Sequence, residues 1–420
     1  LKLWGFARLA AEPKQSMRIH YAPEATDRIG AATKLLNRLV ASEEAVYGVN
    51  TGFGHFANVV IPPDKVVELQ KNIVRSHCCG VGDLLSRDLV MAMWLIDLNT
   101  ICQGHSGVRM ATMERIARIL ESGVLACIPS QGSVGASGDL APGAHAVQAM
   151  MGEGRCTMPD GDGFVDITAS EALQRIGINP IELGPKEGLS LINGTHLTTA
   201  MAVKAWYEAR YLLEVANLAA AMTIEALSGS RMNCHELTMK AHVHPGTIAS
   251  GRQVSAWLGT TSDFSKLHKK DQWIQDPYSL RCVGQVHGSV WEELDSSERT
   301  LENEINATTD NPLLFPEAMD VLYCGNFHAI YPARVSDRLA SALTTLASIS
   351  ERRINQAMKA PRQHLPTFLV EDGGLRSGFM MAHVTAAALV SECKSFSFPA
   401  SVDSIPTNVT QEDHVSMGPT

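Results

Sequence analysis

Several features that mark common protein classes are missing from this chain of 420 residues. Its 35 basic residues are outnumbered by 44 acidic ones, giving a formal charge of −9, and no basic run is longer than Lys269-Lys270. These charges argue against a nucleic-acid partner. No stretch has the roughly twenty consecutive apolar residues of a membrane span. The segment beginning Leu1-Lys2 also lacks the apolar core and cleavage site of a signal peptide, so we expect no membrane association.

Motifs for disulfide, metal and phosphate chemistry are also absent. The nine cysteines are odd in number and include no Cys-x-x-Cys, which predicts free thiols and a reducing, cytoplasmic location. The cluster from Cys234 to His244 contains three histidines, but Met239 stands where His-Glu-x-x-His needs its second histidine, so we predict no metal. No Gly-x-x-x-x-Gly-Lys-Ser/Thr motif occurs, which excludes a phosphate loop of that type.

Long helical segments dominate the second half of the chain. Residues 195–228 contain neither Gly nor Pro, and Val335–Ala360 is a second uninterrupted helical run. Ser289-Val290-Trp291-Glu292 reads as a capping box that opens a helix ending near Ala307, before a turn at 310–312. This pattern predicts a mainly α protein with a long-helix bundle core. We expect an N-terminal domain over residues 1–193 and a central helical domain over residues 194–420.

The N-terminal half is predicted to contain shorter helices and more loops than the second half. Ser86 is expected to cap an apolar helix running toward Gly104, and a second helix is expected over Val108–Leu120. Glycine and proline residues interrupt residues 149–190, which we therefore expect to be loop-rich and without a long element.

The tripeptide Ala136-Ser137-Gly138 carries unusual chemical potential. Gly135 and Gly138 remove the Cβ atoms that would restrict the backbone, so the Gly138 nitrogen could attack the Ala136 carbonyl and close a five-membered ring. Loss of water from Ser137 would then leave an exposed carbon–carbon double bond, an electrophile that no ordinary side chain supplies. A plain small-residue loop is the alternative. A serine nucleophile is a second one, although Asp139 replaces the last glycine of Gly-x-Ser-x-Gly.

Further segments in the same order make the resemblance specific. Together with the tripeptide they resemble the aromatic amino acid ammonia-lyases, whose prosthetic group is methylidene-imidazolone (MIO). The segments are 47–54, Arg75-Ser76-His77 with 78–82, 186–195, 275–281, Gly325-Asn326-Phe327-His328 and 411–417. The resemblance implies an MIO formed from Ala136, Ser137 and Gly138, no dissociable cofactor, and the helical architecture of the fumarase/aspartase-like lyases, with the MIO in the N-terminal domain.

The resemblance also implies roles for single residues. Tyr47 would be the base that removes the β-proton, provided that a positive field lowers its pKa or positions the phenolate; an aromatic loop anchor is the alternative. Arg281 would bind the substrate carboxylate bidentately, with a structural salt bridge as the alternative. Tyr278 and Asn193 would contact the MIO and the substrate amine or carboxylate, and the Asn193 amide could hydrogen-bond the imidazolone oxygen. Phe327 would form an apolar wall, or ordinary core, and Gln275 would assist by hydrogen bonding.

Substrate choice is implied by two positions that would face the substrate ring. His77 and Glu412 resemble the histidine-specific branch, because a carboxylate pairs with an imidazole N–H and would be left desolvated and unpaired against phenylalanine. A capping or ion-pair role is the alternative for Glu412. The small-molecule substrate implied is L-histidine, with trans-urocanate and ammonia as products. A lyase or aminomutase acting on phenylalanine or tyrosine, an inactive helical scaffold and, more distantly, a serine hydrolase remain alternatives.

Assembly is implied by the resemblance as well. Family members form homotetramers in which three chains contribute to each site, so we expect no single chain to hold a complete site. Members of the family continue beyond the segment that ends at Met417, and we expect that C-terminal part to be helical and close to the subunit interfaces.

Overall fold

The structure is a computed structural model that describes residues 1–11, 17–42, 45–259, 274–359 and 365–419. These residues are mainly helical, which confirms the predicted fold class. Within them the helices are α1 (Leu3–Ala11), α2 (Pro23–Ala41), α3 (Val66–His77), α4 (Arg87–Cys102), α5 (Met110–Glu121), α6 (Leu140–Met150), α7 (Ala169–Arg175), α8 (Glu187–Ser190), α9 (His196–Ala226), α10 (Glu236–Ala241), α11 (Pro245–Leu258), α12 (Tyr278–Arg281), α13 (Val283–Glu304), α14 (Ile330–Met358) and α15 (Met380–Phe396). None of them is long and apolar enough to cross a membrane.

Short antiparallel strands complete the described structure. They are β1 (Val81–Leu84), β2 (Leu125–Ala126), β3 (Pro129–Gln131), β4 (Arg155–Asp160), β5 (Gly163–Thr168), β6 (Leu313–Phe315) and β7 (Asp320–Leu322). β1 pairs with β3, β6 pairs with β7, and β4 lies between β2 and β5. In the longest ladder Arg155 stands opposite Thr168 and Asp160 opposite Gly163.

The chain forms two compact units. The first contains Leu1–Lys204, Thr300–Val335 and Ala400–Thr420, and the second contains Ala205–Arg299 and Ser336–Pro399. All of the strands and the Ala-Ser-Gly tripeptide belong to the first unit. The two-domain division at residue 193 stays a prediction.

The core of the first unit is built mainly by α4, α5 and α6. α4 is apolar on most of its circumference, as expected for a helix surrounded by protein, and its Trp94 is 1% exposed. α5 instead buries one stripe, formed by Met113, Ile116 and Leu120 at helical spacing.

The core of the second unit is a smaller cluster between α9 and α11. Its apolar side chains come from the last turns of α9, from α11 and from the segment around α12, and are Ala220, Ala221, Ile224, Leu227, Cys234, Val254, Leu258, Leu280 and Val283. Burial of these side chains stabilises the unit, at roughly 25 cal/mol for each Å² of apolar surface removed from water.

Four helices appear where the sequence predicts them, namely α4, α5, α9 and α14, while one prediction was wrong and one was incomplete. α4 follows Ser86 and α9 covers 31 residues of the predicted run. The capping box at Ser289 was wrong, because α13 begins at Val283 and the Ser289 hydroxyl donates to the Val286 carbonyl inside the helix at 2.8 Å. As expected, residues 149–190 contain no long element after the end of α6, but they include the β4–β5 hairpin, whose turn contains Gly161 at φ +57°.

Candidate active site

The Ala-Ser-Gly tripeptide forms a tight turn directly before α6. Three of its positions have left-handed φ values, at Gly135 (+70°), Ser137 (+52°) and Gly138 (+81°). Gly138 is bridged both to Gly135 and to Gly194, and a Cβ atom on it would lie 2.0 Å from the Gly194 carbonyl oxygen. Position 138 therefore requires glycine, and Ser137 adopts a conformation that a non-glycine residue rarely holds without support from its surroundings.

Asp139 fixes this turn to the start of α9. Its backbone N–H donates to the Gly194 carbonyl at 2.7 Å, and its buried carboxylate accepts from the backbone N–H and hydroxyl of Thr198 at 2.8 and 2.7 Å. The Ser133 hydroxyl donates to the same carboxylate at 3.1 Å. Burial raises the pKa of Asp139 above its usual range, although these hydrogen bonds partly offset the shift. The loop is thus held by interactions within the first unit.

A cavity of about 650 Å³ opens beside the turn, within the size range of small-molecule sites. It brings together five of the predicted site residues, all in the first unit: Tyr47, His77, Ser137, Asn193 and Glu412. Apolar side chains complete much of its wall, among them Phe53, Ile73, Leu140 and Leu189. Residues up to 365 positions apart in the chain meet there.

Tyr47 is held by its own loop. The backbone N–H of Gly54 donates to the Tyr47 hydroxyl at 3.3 Å, and the Tyr47 ring lies edge-on to Phe53 and Tyr323, with ring centroids 6.4 Å apart in both pairs. Burial raises the pKa of Tyr47, the charge of Glu412 raises it further, and the Gly54 N–H lowers it. The lowered pKa expected for a basic tyrosine is therefore not produced by the described residues of this chain, which position the hydroxyl instead.

His77 is the last residue of α3, and its ring orientation follows from one hydrogen bond. Nδ1 lies 2.8 Å from the Ile73 carbonyl oxygen, which can only accept, so Nδ1 carries the proton and Nε2 of the neutral ring is an acceptor. Burial lowers the pKa of His77, while the Ile73 carbonyl and Glu412 act in the opposite direction. The neutral form with a free Nε2 acceptor is the one favoured.

Glu412 is oriented by a short turn at Thr407–Glu412. The hydroxyl of Thr407 donates to Glu412 Oε2 at 2.6 Å, and Asn408 Nδ2 donates to Oε1 at 3.4 Å. The backbone of Asn408, Val409 and Thr410 is left-handed throughout, with φ between +51° and +64°. Such a run is costly unless its surroundings support it, and here it holds a carboxylate at the cavity wall.

Asn193 lines the cavity, and its amide nitrogen is already hydrogen-bonded to neighbouring residues. Its Nδ2 donates to Asp310 Oδ1 at 3.3 Å and to the Asn311 carbonyl at 3.2 Å. Its Oδ1 is buried and has no hydrogen-bond partner among the described residues. The expected donation from this amide to an imidazolone oxygen does not agree with that arrangement, because both N–H groups are used elsewhere. Asn193 offers an acceptor instead.

The other predicted residues do not line the cavity. Ala136 and Gly138 flank Ser137 in the turn, and Phe327, half-buried in the first unit, does not line the cavity. Gln275, Tyr278 and Arg281 belong to the second unit, where the Arg281 guanidinium donates to Gln275 Oε1 and lies 4.7 Å from the centre of the Tyr278 ring. Tyr278 is 72% exposed. Their roles in a site stay predictions.

Comparison with known proteins agrees with this geometry. The model of the aromatic amino acid lyase family matches residues 2–420. The chain belongs to that family. A histidine ammonia-lyase from Idiomarina loihiensis is 42% identical over 403 residues, which are 96% of this chain and 78% of that relative. The crystal structure of histidine ammonia-lyase from Trypanosoma cruzi is similar at a TM-score of 0.89 and 39% identity, over all of this chain and 77% of that one.

An enzyme of different chemistry shares the fold as well. The crystal structure of a tyrosine aminomutase from Streptomyces globisporus is similar at a TM-score of 0.92 and 34% identity, over all of this chain and 81% of that one. The shared fold alone therefore does not select the substrate, and the side chains lining the cavity carry that argument.

Sequence reasoning missed two residues that orient the site of this lyase. Lys186 and Asp310 form a completely buried ion pair, with Lys186 Nζ 2.7 Å from Asp310 Oδ2, and Asp310 in turn contacts Asn193. Lys186, at the start of the segment 186–195, was the only half of the pair that lies in one of the motifs. Its partner lies 124 residues away, so spacing along the chain could not reveal it.

Proposed function

We propose that this lyase eliminates ammonia from L-histidine to give trans-urocanate. The observation that carries the proposal is the presence of His77 and Glu412 in the same cavity as Ser137. The neutral Nε2 of His77 and the Glu412 carboxylate are both acceptors; the single N–H of a neutral imidazole ring can pair with one of them, and the two N–H groups of an imidazolium ring with both. A phenyl ring would leave both acceptors desolvated and unpaired, which costs binding free energy. The names of the similar curated enzymes support the same substrate.

The residues around the tripeptide fit an MIO made from Ala136, Ser137 and Gly138. The turn is already left-handed at Ser137, the close approach of Gly194 leaves no room for a side chain at 138, and Asn193 Oδ1 is a buried acceptor without a partner among the described residues. When formed, the MIO would supply an electrophile for the substrate amine. Among the described residues, no group of three or more His, Cys, Asp or Glu side chains is arranged to hold a metal ion.

The side chains of this chain would bind the substrate and move one proton. The Tyr47 hydroxyl, positioned by the Gly54 N–H, would act as phenolate and take the β-proton. His77 and Glu412 would hold the ring in place so that the β-carbon faces Tyr47, which is a positioning effect that can contribute several kcal/mol to catalysis. Leu140, Leu189 and Phe53 would exclude water from the same space.

We further propose that residues of the second unit bind the substrate carboxylate, in a homotetramer whose sites are shared between subunits. Arg281 offers a planar fork for the carboxylate, and Tyr278 and Gln275 lie against it. The high exposure of Tyr278 supports a role at a surface that another subunit covers, with Phe327 as an apolar wall. Free thiols at all nine cysteines support a cytoplasmic location for the assembly.

The test is intact mass followed by assay of the products. A purified chain lighter by two water molecules that releases urocanate from L-histidine would bear out the proposal. The same mass deficit with turnover of phenylalanine or tyrosine would favour the lyase or aminomutase alternative. An unmodified mass with no turnover would leave the helical scaffold, and labelling of Ser137 by a fluorophosphonate probe would favour a hydrolase.

A further inference from the structure

The buried ion pair beneath Asn193 suggests how the cavity recognises an amine. We propose that Lys186 and Asp310 are positioning residues that hold the Asn193 amide with its oxygen toward the substrate, so that Oδ1 accepts an N–H from the substrate amine. The inference rests on the proposed function and adds to it the buried pair that sets the orientation of the Asn193 amide.

Asp310 is surrounded by donors. Lys186 Nζ donates to Oδ2 at 2.7 Å, the Asn311 backbone N–H donates to Oδ1 at 2.7 Å, and Asn193 Nδ2 donates to Oδ1 at 3.3 Å. Lys186 is held in place by two further acceptors, the Ser190 hydroxyl at 2.7 Å and the Ser106 carbonyl at 3.2 Å. Both charged side chains are completely buried. A carboxylate that faces an ammonium group and two N–H groups in this way serves as an acceptor to all of them.

The orientation of the Asn193 amide follows from those partners. Its two neighbours on this side, the Asp310 carboxylate and the Asn311 carbonyl, are acceptors only, so the amide nitrogen must face them. The oxygen is then left on the other side, buried and without a described partner. A buried acceptor without a donor costs free energy, and a ligand that supplies an N–H at this point recovers it.

The substrate amine is the group that fits. A free carboxylate oxygen of the ligand would be repelled by the Asn193 acceptor, whereas an amine can donate to it. The ring N–H groups are already assigned to His77 and Glu412, which line the same cavity. Asn193 directly precedes Gly194 in the chain, and the Gly194 carbonyl lies against Gly138. The amine would therefore be held close to the tripeptide.

The experiment uses Asp310→Asn in the full chain and two ligands that differ at the amine. An asparagine at 310 can present either its oxygen or its nitrogen, so the Asn193 amide is no longer forced into one orientation. Dissociation constants are measured for histamine, which has the amine and no carboxylate, and for imidazolepropanoate, which has the carboxylate and no amine. We expect histamine binding and kcat/KM for L-histidine to fall about ten- to hundredfold, the size of one buried hydrogen bond, while imidazolepropanoate binding and the intact mass stay unchanged.

Glu187→Gln is the matched control. Glu187 is also buried and begins α8 beside Lys186, but it binds Arg109 and Thr112 and not Asn193. Loss of its charge should lower the thermal midpoint and leave the ratio of the two dissociation constants as in the wild type. A change of that ratio in Asp310→Asn alone therefore reports orientation and not general stability.

Three results would overturn the inference. Equal weakening of both ligands in Asp310→Asn would mean that the pair only stabilises the fold. Loss of the two-water mass deficit would mean that it acts on ring closure. Additive shifts of the thermal midpoint in Asn193→Leu, Asp310→Asn and the double variant would mean that the two side chains are not coupled. Failure of the proposed function is a separate result, namely a wild type that binds histamine but forms no urocanate.

Discussion

The residues predicted for a single site are arranged differently in the two units of the chain. In the first unit, Tyr47, His77 and Glu412 line one cavity, and each has a hydrogen bond that sets its orientation. In the second unit, Arg281 lies against a Tyr278 ring that is 72% exposed. The comparison separates side chains that this chain orients by itself from side chains that lie at an open surface.

Burial explains why the first group is the better defined one. Polar groups removed from water must find partners, and so the loops around the first cavity are tied down at Asp139, Thr407 and Asp310. Arg281 and Tyr278 meet no such requirement at an exposed surface. The predictions below test that difference between the two groups, in order of decreasing expected effect.

Ser137→Ala should remove activity, by at least about a thousandfold, because the group required for covalent chemistry can no longer form. Ser137 lies in a turn that Asp139 and Gly138 hold through other contacts, so the thermal midpoint should change little. Urocanate absorbance and intact mass are the measurements. Full activity in this variant would refute the proposed chemistry.

Mixing two inactive variants tests whether the two groups act in one site across subunits. Arg281→Met should lose about a hundredfold or more in kcat/KM, since a charged partner of the carboxylate is removed. When it is co-expressed with Ser137→Ala, mixed assemblies should recover part of the wild-type activity, because some sites then combine an intact Ser137 with an intact Arg281. Mixed assemblies as inactive as either parent would show that both residues serve the site from one chain.

Tyr47→Phe should lower kcat by about 10²–10⁴-fold, the usual contribution of a positioned base. Since the pKa of Tyr47 lies above its usual range, the phenolate fraction and hence wild-type kcat/KM should increase as the pH rises through neutrality, and the variant should lose this dependence. Tyr323→Phe is the control, because Tyr323 contacts the Tyr47 ring but is 60% exposed. An equal loss in both variants would favour the role of an aromatic anchor.

Glu412→Gln should lower kcat/KM for L-histidine about ten- to hundredfold, because one charged hydrogen bond to the ring is replaced by a weaker one. Turnover of phenylalanine relative to histidine should rise in the same variant. Asp413→Asn removes the same charge from the neighbouring exposed residue and should leave both rates unchanged. An unaltered specificity profile in Glu412→Gln would contradict the ring-binding role.

The second unit should be sensitive to acid through a buried histidine. His287 donates from Nδ1 to Asn217 at 2.6 Å and accepts at Nε2 from Arg353 at 3.2 Å, and burial, with the Arg353 charge, lowers its pKa to about 3. The unfolded chain binds a proton there below about pH 6.5 and the folded chain does not. Stability should therefore fall by at most about 1.4 kcal/mol per pH unit between pH 6.5 and 3.

His287→Gln should make that pH dependence shallower, as measured by thermal unfolding across the same range. The exposed His244→Gln provides the control. The control should lose stability with falling pH as steeply as the wild type. If His287→Gln does so as well, His287 is not the source of the acid sensitivity.

The helical architecture could largely be predicted, because it depends on local patterns. The absence of Gly and Pro after Thr195 predicted α9, and the spacing of Met113, Ile116 and Leu120 predicted α5 within two residues of its start. The errors arose where the same local signal has two uses. A serine near the start of a helix can cap it or, like Ser289, bond back to a carbonyl within it, and glycines can mark a loop or the turn of a hairpin.

The family of the chain, the tripeptide proposed to form an electrophile and the residues Tyr47, His77 and Glu412 of the cavity could be read from the sequence, because they lie in contiguous motifs. Tertiary structure alone decided which way those residues face. The pairing of Lys186 with Asp310, the acceptor side of Asn193 and the tautomer of His77 depend on which donors and acceptors meet after folding. Burial then makes each of those pairings obligatory, because a polar group removed from water must be satisfied by its neighbours.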